Sequence, residues 1–332
     1  MNWGLIFSNG LYAAVSANAI AYILVATGLN VHFGYTGLIN FGQAGFAAVG
    51  AYAMAITINR YDWNPVFSIA LVLVAGAMLA LFIGTITLRL RADYLAIVTI
   101  AVAEIVRLFA NSVRFTWLTG GNDGLQKFSG WMERLSPFDN DGVTVWKQKI
   151  DGYRLWLLVV GWILVAIVST VVYLLMRSPW GRVLKSIRED QDAARSLGKN
   201  VFAFKMQSFV IGGMIGAVGG LWVVLDKQSS QPGDFATTLT FFVFTIVIIG
   251  GIARVKGPIV GTMIFLFVFQ FVDSFLREAT KRPDPVLPKW LVTDNNFGQV
   301  KYMLAGLALT LLVAFRPQGI FGDKREQAFD VR

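Results

Sequence analysis

The sequence predicts an all-α protein that crosses a membrane about nine times. Three observations carry that expectation. The 332-residue chain is 55% hydrophobic and only 15% charged. Several of its apolar runs reach the ~20 residues that a helix needs to span a bilayer. Its basic residues mostly flank those runs, where they set orientation in the membrane. A net charge of +9 would suggest nucleic acid in a soluble protein. The flanking placement makes lipid the expected contact instead, and no nucleic acid partner is expected.

The apolar runs fall at 11–28, 38–58, 65–88, 94–112, 154–176, 207–226, 240–253, 257–276 and 300–315. They are read as one membrane domain over 1–332, with eight to ten transmembrane helices. The second run is rich in small residues and amides, so a re-entrant or distorted segment is expected there. The seventh is short for a crossing and ends near Gly250-Gly251. It is expected to be a broken helix that pairs with the next one. Gly212, Gly216 and Gly220 recur every four residues, and Gly257 and Gly261 repeat the spacing, which lets helices approach closely. The N-terminus lacks a basic n-region, so no cleavable signal is expected.

Segment 177–205 lies between two runs and carries seven Lys/Arg against three acids. A plain connecting loop would not need helix punctuation, and this one has it. Ser178 is placed as an N-cap with Pro179 at the first helical position. Ser186-x-x-Glu189 reads as a capping box for a second short helix. Gly198 is a natural stop, and Asn200 can cap the next helix. Val183, Leu184, Ile187, Ala194 and Leu197 fall close to one helical face. The segment is built to dock on a partner; the plainer alternative is a basic loop lying on anionic lipid. If it is cytoplasmic, that side carries 15 Lys/Arg and the other side 11 over a greater length. This orientation puts the N-terminus outside and the C-terminus inside.

Three further groups are candidate sites. Asn40 and Gln43 are three apart, on one face if that stretch is helical. Amides in lipid need partners or a water-filled cavity, so they either line a path or bond neighbouring helices. Glu104 and Arg107 are also three apart in the fourth run. They are expected to form one buried pair, with a structural or a pathway role. Thr119-Gly120-Gly121-Asn122-Asp123-Gly124 makes turns within the exterior loop 113–153. No cysteine is present, which excludes thiol chemistry. The one histidine, His32, is poor support for a metal site or a catalytic triad. No metal, catalytic residue or cofactor is expected on the chain. No G-x-x-x-x-G-K-[ST] occurs, so any ATP and Mg²⁺ would be bound by another polypeptide.

Together these segments resemble the permease subunits of ABC importers for branched-chain amino acids, of the LivM type. Gly34-Tyr-Thr-Gly37 with Asn40-Phe-Gly-Gln-Ala-Gly-Phe is similar to the family's first signature. Arg89-Leu-Arg-Ala-Asp-Tyr with Glu104-Ile-Val-Arg107 resembles the second, and Thr119–Gly124 resembles its exterior turn. Ile187-Arg188-Glu189-Asp190-Gln-Asp-Ala193-Ala194-Arg-Ser-Leu197-Gly198 looks like the family's coupling loop. Gly250-Gly-Ile-Ala-Arg-Val-Lys-Gly-Pro258 and Arg316-Pro-Gln-Gly-Ile-Phe-Gly322 complete the order. The resemblance implies a type II-like permease bundle in the plasma (inner) membrane, without catalysis of its own. It implies a second, LivH-like permease, two ATP-binding subunits on the coupling loops and an extracytoplasmic binding protein. Leucine, isoleucine and valine are the implied cargo. The first signature often carries Ser-Leu-Gly-His where this chain has Asn40-Phe-Gly42-Gln43, and relatives also serving urea and short amides make those the alternative. A stand-alone secondary transporter or channel is the rival class; it calls for coupling carboxylates inside the spans, where Glu104 stands alone.

Overall fold

Ser16 divides the first apolar run. Its backbone is extended (φ −64°, ψ 168°), and its Oγ accepts from the Ala19 N–H at 3.3 Å. The run at 11–28 is therefore two helices, α1 (Trp3–Val15) and α2 (Ala17–Leu29), because an N-cap serine starts a new helix where a continuation was expected. The computed structural model describes residues 2–89, 92–126, 128–138, 143–145, 148–280, 297–315 and 319–321. The motif residues Leu90, Arg91, 316–318 and Gly322 lie outside them, as do the C-terminal residues whose side was predicted.

Each remaining run contains a helix. These are α3 (Gln43–Tyr61), α4 (Pro65–Thr87) and α5 (Ala92–Asn111). After the short α6 (Thr116–Thr119) and α7 (Gly130–Arg134) comes α8 (Gly152–Arg177). The basic segment forms α9 (Pro179–Glu189) and α10 (Gln191–Ser196), followed by α11 (Val201–Lys227). The last three are α12 (Thr237–Gly250), α13 (Gly257–Ala279) and α14 (Phe297–Phe315). Six described helical spans are long and apolar enough to cross a membrane, while α12 has 14 residues and is short for it. As expected, α12 ends at Gly250 and packs on α13. Among the described residues, two small antiparallel sheets interrupt the helical pattern. One pairs β1 (Leu125–Gln126) with β4 (Ser229–Ser230), and the other pairs β2 (Val143–Val145) with β3 (Gln148–Ile150).

The helices form an inner and an outer layer. In the apolar stretch of Ala17–Tyr35, 83% of the residues are buried, and 78% are buried in Val201–Lys227. The share falls to 28% in α4 and 22% in α5 and α8. Thus α2 and α11 are the centre, with α3 beside them, and α4, α5 and α8 present exposed apolar side chains such as Phe82, Ile97 and Ile163. Water would penalise such a surface, whereas lipid tails match it. The inner layer is tight because its glycines admit neighbouring groups. A Cβ on Gly212 would meet the His32 ring, and one on Gly216 would meet the Gln43 amide. The four-residue glycine spacing of α11 is therefore a packing device.

Candidate functional site

At the end of α2 the chain widens into a π-helical turn, Asn30–Tyr35. Such turns insert an extra residue into the helical ladder and occur often at functional sites. This one carries His32, which is fully buried. Its Nε2 lies 2.9 Å from the Phe209 carbonyl of α11, and its Nδ1 lies 2.9 Å from Asn40 Nδ2. A carbonyl only accepts, so Nε2 carries the proton. Asn40 is oriented by its other bonds: Oδ1 accepts from the Gly42 N–H at 2.8 Å, and Nδ2 donates to Gln43 Oε1 at 3.2 Å. The facing atom is then an amide donor, so Nδ1 accepts and the imidazole is neutral. Gln43 Nε2 donates to the Val25 carbonyl at 3.2 Å. The amides and the ring are satisfied by their own chain, which is what a buried polar network requires.

Asn40 and Gln43 meet as predicted, but not on one helical face. Asn40 precedes α3, whose first residue is Gln43. Its side chain captures a backbone N–H two residues on, a local bond that competes with helix formation. The same turn anchors a second connection. Asn30 donates to the Arg254 carbonyl at 3.0 Å and accepts from the Ala253 N–H at 3.0 Å. The segment between α12 and α13 is thereby tied to the π-turn.

The basic helix pair has much of its predicted punctuation. Ser178 Oγ accepts from the Gly181 N–H at 3.4 Å, and Pro179 opens α9. Gly198 turns left-handed (φ +76°) after α10, and Asn200 Oδ1 caps α11 through the Ala203 N–H at 3.1 Å. The capping box does not form. Ser186 lies within α9 and donates to the Val183 carbonyl, while Asp190 Oδ1 caps α10 through the N–H groups of Asp192 and Ala193 at 2.8 and 2.9 Å. A carboxylate at this position satisfies two orphan donors and matches the helix dipole.

The apolar stripe also divides. Leu184, Ile187 and Ala194 are buried within the chain, whereas Leu197 is 80% exposed. Glu189, Asp190, Ala193 and Gly198 are exposed with it. Arg188 points inward, donating from Nη1 to the Gly34 carbonyl at 2.6 Å. That bond joins the basic helices to the π-turn. The sequence pattern puts Arg188 in the docking segment but carries no sign of this partner or of the structural roles of His32 and Asn30. Two polar side chains at the end of an apolar span were the available signal, since such groups need internal partners.

Glu104 and Arg107 pair on α5. Arg107 Nε lies 3.1 and 3.0 Å from the two carboxylate oxygens, and Nη2 lies 2.5 Å from Oε1. The pair is not buried: the side chains are 38% and 25% exposed, on a helix whose neighbouring Ile105 and Leu108 also face outward. The i, i+3 spacing brought the charges together, and the outer position of α5 left them at the surface.

In the turn 119–124, Thr119 is buried and donates to the Ala110 carbonyl at 2.8 Å. Gly120, Gly121 and Gly124 adopt positive φ. Asn122 and Asp123 stand exposed at the tip. The turn leads into β1, which pairs with β4 between α11 and α12.

Residues 11–313 match the family model described as branched-chain amino acid transport system / permease component. The chain is similar to the high-affinity branched-chain amino acid transport system permease protein LivM of Salmonella typhimurium, at 28% identity over 98% of this chain and 73% of that one. It is 26% identical to a probable branched-chain amino acid transport permease protein LivM of Methanocaldococcus jannaschii, over 91% of each chain. A probable LivH permease of the same organism is 22% identical over 77% of this chain and 78% of its own. No solved structure matches.

Proposed function

The chain belongs to the family of permease components of branched-chain amino acid transport systems, and from that premise we propose that it is one of two permease subunits of an ATP-driven importer for leucine, isoleucine and valine. A LivH-like chain is the second permease. Two ATP-binding subunits dock on the exposed surface of α9–α10, which faces the cytoplasm in this reading. A binding protein delivers cargo at the side of the Thr119–Gly124 turn. ATP and Mg²⁺ belong to the ATP-binding subunits.

The observation that carries the proposal is the Arg188–Gly34 bond. An exposed, capped helix pair is linked by the charge-assisted Arg188–Gly34 hydrogen bond to a π-turn in the most buried part of the chain. A π-turn is an irregular turn of helix of the kind often found at functional sites. Movement of α9–α10 by nucleotide-driven partners would reach His32 and Asn30 through it, biasing two packings of one bundle. Glu104 and Arg107 take the outward face of α5, toward the second permease and the path between the two chains.

Urea and short amides gain no support from the departure in the first signature. It falls on Asn40 and Gln43, whose amides are committed to the internal network. The test is co-purification of the tagged chain, followed by uptake of labelled leucine in reconstituted vesicles. A second permease and two ATP-binding subunits should accompany it, and uptake should require ATP. Leucine uptake by this chain alone, driven by an ion gradient, would replace the proposal with a secondary transporter. Arg188→Ala should lower uptake while leaving the ATP-binding subunits attached.

A further inference from the structure

We propose that the groove between the end of α8, α9 and the segment preceding α13 binds the headgroup phosphate of an anionic phospholipid, with an acyl chain lying along α8. The inference goes beyond the transport reading and rests only on α8 crossing the membrane. α8 has 26 residues, or about 39 Å of helix against a hydrocarbon layer of about 30 Å. Its last turn, around Tyr173–Arg177, therefore reaches the headgroup boundary.

The groove encloses about 810 Å³ and has two chemically distinct ends. Its lining includes Arg177 at the end of α8, Lys185 on α9, and Arg254 and Lys256 in the segment before α13. No carboxylate is among the described residues that line it. Four cations sharing one cavity repel each other and attract an anion, more strongly than in water because the membrane lowers the local dielectric. The Arg177 guanidinium packs over the Tyr173 ring at 4.4 Å. Stacking uses the face of the guanidinium and leaves its in-plane donors for phosphate oxygens. The N-terminus of α13, at Gly257, adds a favourable dipole to the same end.

The other end runs up α8 along Thr170, Ser169 and Ala166. That wall lies at the depth of lipid tails and carries no charge. A free phosphate would use only the cationic end, whereas a phospholipid uses both. The site also touches the π-turn and its ties: Tyr35 of the π-turn lines it, and its Ala253–Arg254 segment is bonded to Asn30. A bound lipid would hold α8, α9 and this segment together and steady the seat of the coupling helices.

The protein, with whatever chains accompany it, would be extracted from membranes containing phosphatidylglycerol and phosphatidylethanolamine and weighed by native mass spectrometry. The parent should retain phosphatidylglycerol preferentially. Arg177→Gln, Lys185→Gln and Lys256→Gln combined should lose that retention. Arg177→Lys, Lys185→Arg and Lys256→Arg combined should keep it, which separates lost charge from lost folding. In a thermal melt, phosphatidylglycerol should raise the midpoint of the parent complex, and phosphatidylcholine or inorganic phosphate should not. Unchanged phosphatidylglycerol retention in the neutral variant would overturn the proposal. So would equal stabilisation by inorganic phosphate, which would make this a soluble-anion site. Loss of the ATP-binding subunits with lipid retention intact would make the patch a protein contact and overturn it likewise.

Discussion

Two polar constellations sit at opposite extremes of this chain. Asn40, Gln43 and His32 are fully buried, and their polar side-chain atoms bond to each other or to backbone of the same chain. Glu104 and Arg107 form a tight ion pair that remains partly exposed on an outer, apolar helix. The first is closed by its own fold. The second is closed electrically but not sterically, since its surroundings at the surface of α5 are supplied from outside the chain. A polar group in an apolar chain thus has two different settings: the network ties α2, α3 and α11 together, while the pair leaves a polar spot on the outer face of α5. The expected consequences differ in size and in kind.

The largest effect is expected at Asn40. Asn40→Leu would strip partners from His32, Gln43 and the Gly42 N–H at once. Each buried group left unsatisfied costs about 1–3 kcal/mol. Thermal melting of the purified complex should fall steeply, or the chain should fail to accumulate. A melt close to the parent would mean that the network is not closed.

Gly216→Leu should come next. Even the first added carbon would meet the Gln43 amide, and overpacking of a tight interior costs about 1–3 kcal/mol or more. Detergent stability reads this directly. If the variant melts like the parent, α11 does not approach α3 as closely as the glycine spacing allows.

A smaller and conditional effect is expected at the ion pair. In the chain alone, Glu104→Gln leaves Arg107 without its partner on an outer apolar helix, and the loss should stay below that at Asn40 because the long arginine side chain can reach toward the interface. In the assembled pair of permeases the same change should weaken association, since a neighbour that covers Arg107 raises the penalty for an unpaired charge. A cycle of Glu104→Gln, Arg107→Gln and the double variant, read by permease co-purification, should be non-additive. Additive effects would place the pair outside any interface.

The smallest stability effect is expected at Leu197. The side chain is 80% exposed, so Leu197→Asp should leave the melt unchanged while reducing capture of the ATP-binding subunits. Ala194→Asp should do the reverse first, because Ala194 is buried within the chain and a charge there disturbs the seat of α10. Equal outcomes for the two would break the division of the stripe into an inner and an outer part.

What was legible in the sequence was local. Ser178, Pro179, Gly198 and Asn200 act within a few residues of where they stand, and they mark helix ends as read. Hydropathy located a helix in every apolar run, because run length against bilayer thickness is a one-dimensional property. The i, i+3 spacing gave the Glu104–Arg107 bond, but which side of α5 meets the bundle depends on helices far along the chain, so its exposure was not readable. Arg188 and Gly34 are 154 residues apart, and no periodicity connects them. The π-turn carries contacts of His32 with α11 and of Asn30 with the segment before α13, and partners that far along the chain leave no local pattern to read. Ser186 against Asp190 was a choice between two adequate caps, decided by where α9 stops.

The contrast between the closed network and the open pair can be tested in one labelling experiment, because the chain has no cysteine of its own. Gln43→Cys and Ile105→Cys, made singly, would be exposed to a thiol reagent in detergent, with and without the second permease and with and without ATP. Gln43→Cys should stay protected in every condition. Ile105→Cys should react in the isolated chain and become protected when the second permease is present. Labelling of Gln43→Cys that appears or disappears with ATP would contradict the closed network, by putting it on the translocation path.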